Sequence, residues 1–122
     1  MRIVPILTFA VSVALTGCVA PSQYQWGGYE QGLYSAYKDP TQVQNLRVSL
    51  ETHIAEMERS GQKVAPGLYA ELGTLYLQAG SADKAMNMYA KERDAWPESK
   101  GLMTAMIQNL ERRQKAKQEG EQ

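Results

Sequence analysis

Apolar residues recur at intervals of three and four along most of the chain, which is the spacing of one face of an α-helix. The first set predicts a helix between Tyr24 and Tyr37: Trp26, Tyr29, Leu33 and Tyr37. The second set predicts a longer helix: Val43, Leu46, Leu50, Ile54 and Met57. No stretch shows the sustained alternation of apolar and polar residues that favours strands. The pattern therefore predicts an all-α fold.

Polar and small residues mark where the second helix begins and ends. Asp39 is predicted as its N-cap and Pro40 as its first helical residue. Gln42 lies three residues after Asp39, as in a capping box. Gly61 is predicted to end the helix as a C-cap. The segment 24–61 is thus predicted to form a helical hairpin with a lengthened second helix.

The stretch 65–99 carries aromatic, small and turn residues at offsets that resemble a tetratricopeptide repeat, a pair of antiparallel helices. Gly73 and Ala85 are small, and we predict that they let the two helices approach closely. Ser81 is predicted to cap the second helix. Glu92 departs from the pattern, which usually has Ala there. The positions that match and are predicted to pack the repeat are Tyr69, Leu72, Gly73, Tyr76, Gly80, Ala85, Tyr89 and Pro97.

A single repeat cannot bury both of its faces, so it needs neighbours. The hairpin 24–61 supplies one as a degenerate first repeat. An amphipathic helix over 100–116 supplies the other as a cap, through Leu102, Met103, Met106, Ile107 and Leu110. The polar tail 117–122 is predicted to fray into solvent. The prediction is a short tetratricopeptide-like antiparallel array of about five helices.

The first 17 residues have the layout of a secretory signal peptide: Arg2, an apolar run from Ile3 to Leu15, then small residues. The run is shorter than the ~20 residues that a helix needs to span a bilayer. The motif "LTGC" at 15–18 resembles the lipobox of bacterial lipoproteins. The resemblance implies cleavage of segment 1–17, acylation of Cys18 with chains such as palmitate, and a lipid-anchored linker over 18–23.

The residues after the anchor indicate its destination. Val19 and Ala20 follow Cys18 without the Asp that retains enteric lipoproteins at the inner membrane. The resemblance therefore implies a protein anchored by lipid to the cell outer membrane and facing the periplasm. Several acyl chains give stable attachment, whereas one chain alone binds only marginally.

Charge and cysteine content argue against several kinds of partner and binding site. The chain has 13 basic and 13 acidic residues, so charge gives no reason to expect nucleic acid as a partner. Cys18 is the only cysteine, which argues against disulfides, a zinc site or a redox pair. No metal, no cofactor and no small-molecule substrate are expected.

Residues able to support catalysis are few. His53 is the only histidine, and it lies beside the apolar stripe of the second predicted helix. A helix-flank histidine of this kind is more often structural than catalytic. No phosphate-binding loop, H-E-x-x-H or G-x-S-x-G motif occurs. We expect the protein not to be an enzyme; activity that depends on His53 or a carboxylate is the alternative.

The aromatic residues of the first helix fit either a core or a binding surface. Trp26, Tyr29 and Leu33 are predicted to be core, whereas Tyr34 falls off the stripe and is predicted to be a surface contact. Lys91 and Arg93 on the second repeat helix are the other candidate partner-binding residues.

Four features together extend the resemblance: the lipobox, "YQWGGYEQGLYSAYKDP", "PGLYAELGTLYLQAG" and "KERDAWPES". The chain resembles an uncharacterised family of small Gram-negative lipoproteins, a domain of unknown function. Its members resemble accessory lipoproteins encoded beside a lipoprotein similar to the curli secretion channel. The resemblance implies a protein-interaction module, an accessory subunit of an outer-membrane assembly. Regulation of a cell-wall synthase is the alternative function.

Overall fold

The computed structural model describes residues 22–121. The predicted signal peptide, Cys18 and the first part of the linker lie outside these residues. Five α-helices follow one another, and no strand occurs between residues 22 and 121. They are α1 (Tyr29–Lys38), α2 (Val43–Arg59), α3 (Leu68–Gln78), α4 (Ala82–Ala95) and α5 (Lys100–Gly120). The predicted all-α array of five helices is therefore confirmed.

Each helix packs on the next one along the chain. The connections are short, and 3-10 turns at Pro40–Gln42 and Pro97–Ser99 lead into α2 and α5. Short connections make neighbouring helices antiparallel. As a result, α1 and α5 lie at opposite edges of the array.

Two groups of buried side chains hold the array together. The larger group lies under α1, α2 and α3, and the predicted stripe of α2 is its centre: Leu46, Leu50, Ile54 and Met57 are each 4 % exposed or less. The smaller group joins α4 to α5. Full burial of one such side chain stabilises the fold by about 1.5–3 kcal/mol. Tyr76 packs against both groups and so connects the two halves.

The beginning of α1 differs from the prediction. The stripe from Tyr24 predicted a helix, but α1 begins at Tyr29 because Gly28 has a left-handed backbone with φ of 73°. The preceding residues instead pack across the array. The rings of Tyr24 and Trp96 pack edge to face, with 5.3 Å between their centroids.

The prediction that Trp26, Tyr29 and Leu33 are core is wrong for two of the three. Trp26 is 36 % exposed and Leu33 is 41 % exposed, while Tyr29 is half-buried. The side of α1 that faces α2 carries small residues instead. Ala36 is buried, and a Cβ on Gly32 would stand 3.0 Å from Leu46. Small side chains allow close approach of the two helices, so the large side chains point outward.

The predicted capping residues act differently from the prediction at two positions. Asp39 is the N-cap of the 3-10 turn, and its Oδ1 accepts from the backbone N–H of Thr41. The capping box does not form, because the Asp39 N–H donates to the Ser35 carbonyl, while the Gln42 side chain donates to Asp39 Oδ2 and accepts from the Asn45 amide. Ser81 occupies the N-cap position of α4, but its side chain makes no capping hydrogen bond.

Gly61 ends α2 as predicted, and Gly80 ends α3 in the same way. After α2, the Gln62 N–H donates to the Met57 carbonyl and the Gly61 N–H to the Glu58 carbonyl. This pair of bonds is the Schellman motif, which requires a left-handed residue. Gly61 and Gly80 supply it with φ of 69° and 79°.

The last helix is longer than predicted. The capping helix was predicted to end at residue 116, but α5 continues to Gly120. The Gln114 amide donates to Asp83 of α4 at 2.7 Å, and Leu110 is 6 % exposed. These contacts hold the middle of α5 against α4, so the helix continues past them.

Candidate functional site

The residues predicted to pack the repeat lie on α3, on α4 and in the turns that follow these helices. Those that lie on the helices are buried, except Tyr76, which is half-buried. Gly80 and Pro97 are exposed in the turns. The buried positions are Tyr69, Leu72, Gly73, Ala85 and Tyr89.

The closest approach between α3 and α4 occurs at Gly73. A Cβ on Gly73 would stand 2.7 Å from Cε1 of Tyr89 and 3.2 Å from the Ala85 carbonyl oxygen. Tyr89 is fully buried, and its hydroxyl lies 3.2 Å from Oγ1 of Thr74. The Tyr89 ring therefore fills the space that the missing side chain leaves.

The three candidate partner-binding residues do not form one site. Tyr34 is 59 % exposed on α1, whereas Lys91 and Arg93 lie on α4. Arg93 pairs with the neighbouring Asp94 at 2.9 Å. Lys91 pairs with Glu58 at 2.7 Å and lies over the Tyr69 ring. The charges of Lys91 and Arg93 are thus engaged within the chain.

Glu58 connects α2, α3 and α4 through a single carboxylate oxygen. Its Oε1 accepts from Nζ of Lys91 at 2.7 Å and from the hydroxyl of Tyr69 at 2.9 Å. The hydrogen bond from Lys91 is the main cause that lowers the pKa of Glu58, against burial, which raises it. Burial and the Glu58 carboxylate both raise the pKa of Tyr69, so its hydroxyl stays protonated.

Acid should destabilise the array partly through Glu58. A carboxylate whose folded pKa is lowered stabilises the fold above its ordinary value of 4.5, and this contribution is lost as the pH falls through the folded pKa. Glu58→Gln should therefore flatten the slope of the unfolding free energy between about pH 5 and pH 3. The loss at neutral pH should be about 1 kcal/mol or less, because the pair is partly exposed. Urea unfolding across this pH range measures both effects.

The control for this experiment is a double-mutant cycle. Lys91→Met removes the main cause of the lowered pKa, so it should flatten the slope as well. Adding Glu58→Gln to Lys91→Met should change the slope little. A wild-type slope in Glu58→Gln would show that Glu58 does not contribute to the acid response.

His53 has a structural position. Its Nε2 lies 2.9 Å from the Gln25 carbonyl oxygen, and its ring stands directly over Gly27. The Gln25 amide in turn donates to Gln62 at 3.0 Å. His53 therefore helps to hold the chain before α1 against α2.

Glu92 has a role that the sequence comparison with the repeat did not reveal. It is 1 % exposed, and its Oε1 accepts from the Gly67 N–H at 2.8 Å and from the Ser99 hydroxyl at 3.2 Å. Gly67 is the N-cap of α3 and Ser99 is the N-cap of α5. The carboxylate thus joins two helix N-termini, where a negative charge is favoured.

A groove lies at the outer edge of the array, where α5 passes the turn between α3 and α4. Its volume is about 410 Å³. We call it the α5 groove; apolar side chains Leu77, Ala82, Leu110 and Ala116 line it together with Arg113 and Lys117. Within residues 22–121, neither of these two cations pairs with a carboxylate. The groove can therefore take an apolar segment that also carries acidic groups.

A second exposed apolar surface lies at the opposite edge. Leu33, Tyr34 and Tyr37 project from α1 and are 41 %, 59 % and 86 % exposed. Together with Glu30 they line an open hollow of about 410 Å³. We call these three residues the α1 outer face. The small residues Gly32 and Ala36 are the sequence signal for it, because they mark the side of α1 that packs inward.

Two further properties concern the described part of the chain. Between residues 22 and 121, no cluster of His, Cys, Asp and Glu is arranged to hold a metal ion. None of the helices there combines the length and the apolar character required to cross a membrane.

Comparison with known proteins identifies a family. The model of a domain of unknown function, DUF4810, matches residues 23–106. The match covers α1 to α4 and the first part of α5; it includes the α1 outer face, while Arg113 and Lys117 lie beyond it. No curated protein and no solved structure matches the chain.

Proposed function

The chain belongs to the DUF4810 family, and we propose that it is a lipid-anchored protein-interaction module at the outer membrane of a Gram-negative cell. It faces the periplasm and serves as an accessory subunit of an outer-membrane assembly. Its partner in that assembly is a lipoprotein similar to the curli secretion channel. No catalytic step is part of this proposal.

The anchor rests on the sequence before the helices. The apolar run from Ile3 to Leu15 and the "LTGC" motif at 15–18 support export, cleavage before Cys18 and acylation of its thiol. Acylation places the helical array at a membrane surface.

The repeat-like character rests on the packing of α3 and α4. Gly73 against Tyr89, and Ala85 buried between the helices, are the small and aromatic pairings that a tetratricopeptide-like hairpin uses. We propose that the array is a short, degenerate solenoid of this type. In such arrays each helix packs only on its neighbours, which leaves the terminal helices free to bind other proteins.

The observation that carries the proposed function is the α5 groove. It combines an apolar floor with two cations that have no carboxylate partner in the described part of the chain. Charge complementarity assigns it a partner segment with apolar and acidic side chains. The groove lies at the edge opposite α1, so a protein bound there does not compete with contacts of α1.

The test is crosslinking of the full-length protein in its own cell membranes, followed by purification and mass spectrometry. We expect capture of the channel-like lipoprotein by the wild type. Arg113→Glu with Lys117→Glu should reduce this capture about tenfold or more, since reversal of two rim charges costs at least 1.4 kcal/mol of binding. Cys18→Ser should remove the protein from the outer-membrane fraction.

The matched control reverses two charges outside the groove. Lys100→Glu with Arg112→Glu changes the net charge equally on the same helix, and both residues are exposed. This variant should capture the partner normally. Equal loss in both variants would contradict a role of the groove, and outer-membrane sedimentation of Cys18→Ser would contradict the anchor. Capture of a cell-wall synthase would replace the proposed function with regulation of that enzyme, and failure to capture any partner would overturn it.

A further inference from the structure

The α1 outer face reverses the usual arrangement of an amphipathic helix. Gly32 and Ala36 face α2, whereas Leu33, Tyr34 and Tyr37 face outward. A surface helix normally buries its large apolar residues and exposes its polar ones. The exposed large side chains therefore indicate contact with another apolar surface.

The chemistry of this face is that of a membrane interface. Tyr side chains combine an apolar ring with a polar hydroxyl and are enriched where lipid meets water. The Lys38 ammonium lies 4.6 Å from the centre of the Tyr34 ring, at the end of the same helix. A lysine in this position can extend to lipid phosphates while its stem covers apolar surface. Glu30 balances its charge, so apolar contact rather than net charge governs the attachment.

The position of Cys18 keeps the start of the described chain close to the bilayer. Cys18 precedes Ser22, the first described residue, by four residues, and an extended chain covers at most about 3.5 Å per residue. Ser22 therefore stays within about 14 Å of an anchored Cys18. The residues from Ser22 to Gly28 pack against Trp96 and His53 before they reach α1. Among the five helices, α1 is the first that the tether reaches along the chain.

We propose that the α1 outer face lies on the lipid surface next to the anchor, with Leu33, Tyr34 and Tyr37 in the headgroup region. The contact fixes the array with α1 on the membrane and α5 away from it, so that the α5 groove is presented to the periplasm. A helix of ten residues is about 15 Å long, so α1 lies along the interface and does not span it. This inference uses the anchor at Cys18 from the proposed function, but not the identity of any protein partner.

The test attaches Cys18 to lipid chemically. Residues 18–122 contain both buried groups described above, and Cys18 is their only thiol. Coupling it to a maleimide phospholipid in vesicles of phosphatidylethanolamine and phosphatidylglycerol fixes the anchor regardless of how cells process the protein. Hydroxyl-radical labelling of Tyr37, read by mass spectrometry, then reports whether the face is covered. The reference is the same protein in solution with its thiol capped.

We expect labelling of Tyr37 to fall about tenfold on vesicles, which corresponds to a contact favoured by about 1.4 kcal/mol. Leu102, which is 66 % exposed on α5, should be labelled equally in both states. Leu33→Gln with Tyr34→Gln should restore labelling of Tyr37, whereas Leu102→Gln should not. Since none of the three replaced residues is buried, these variants keep the fold.

Three results would overturn the inference. Unchanged labelling of Tyr37 on vesicles would show that the face does not contact lipid. Protection of Tyr37 and Leu102 alike would show adsorption without orientation. Protection of Tyr37 in cell membranes but not on vesicles would assign the face to a protein. Absence of acyl chains on Cys18 in cells would instead contradict the anchor, and the vesicle result is independent of it.

Discussion

Replacing Gly73 with leucine is expected to destabilise the array by about 3 kcal/mol or more. A Cβ alone would stand 2.7 Å from the buried ring of Tyr89, and the remaining atoms of leucine have no space between α3 and α4. The ring cannot turn away, because Tyr89 is fully buried and its hydroxyl lies against Thr74. For a domain of this size the loss corresponds to a fall in Tm of roughly 12–24 °C. Thermal unfolding followed by circular dichroism measures it.

A pair of alanine variants isolates the steric cause. Gly73→Ala should cost about 1–2 kcal/mol, because the clash exceeds the roughly 1 kcal/mol that alanine contributes to a helix. Gly101→Ala in α5 makes the same change where, among residues 22–121, no side chain and no atom of another helix lies within 4 Å of the added Cβ, and should stabilise the protein by up to about 1 kcal/mol. Tyr89→Leu should relieve part of the cost of Gly73→Ala. Equal effects of the two alanine variants would contradict the close approach at Gly73.

The sequence predicted those parts of the fold in which large apolar residues form the core. In α2, the spacing of Leu46, Leu50, Ile54 and Met57 identified the buried face correctly, because the partner surfaces on both sides require large side chains. In α1, the same criterion selected the wrong face. Helix α1 contacts α2 through Gly32 and Ala36. The spacing of large residues in the sequence cannot show whether the face they form is buried in the core or exposed as a second surface.

The candidate surfaces could be predicted only in part. Tyr34 was identified because it falls off the stripe, but Leu33 and Tyr37 were assigned to the stripe itself. The α5 groove depends on how far α5 extends past α4, which the polar composition of the tail conceals. Helix α5 is held against α4 by contacts between residues far apart in the chain, such as Gln114 with Asp83. The local sequence does not show such contacts. Both surfaces result from tertiary packing rather than from a local motif.

Replacing Glu92 with alanine is expected to cost about 2–4 kcal/mol, although alanine is the usual residue at this position of a tetratricopeptide repeat. The change leaves the Gly67 N–H without its acceptor, removes the bond from the Ser99 hydroxyl, and opens a cavity at a site that is 1 % exposed. It also removes a negative charge from the N-termini of α3 and α5. Urea unfolding at neutral pH measures the loss.

Two further variants separate these contributions. Glu92→Gln keeps the shape and an oxygen that can accept from Gly67, so it should cost about 1–2 kcal/mol, through the lost charge and through an amide nitrogen buried where Oε2 has no hydrogen-bond partner in the described part of the chain. Glu98→Ala, at an exposed position close to the same helix start, should change stability by less than about 0.5 kcal/mol. If Glu92→Ala were as stable as the wild type, the position would behave as in an ordinary repeat. The expected loss would show instead that a buried carboxylate joins α3 to α5 in this array. Alanine at this position cannot accept a hydrogen bond from the Gly67 N–H or from the Ser99 hydroxyl.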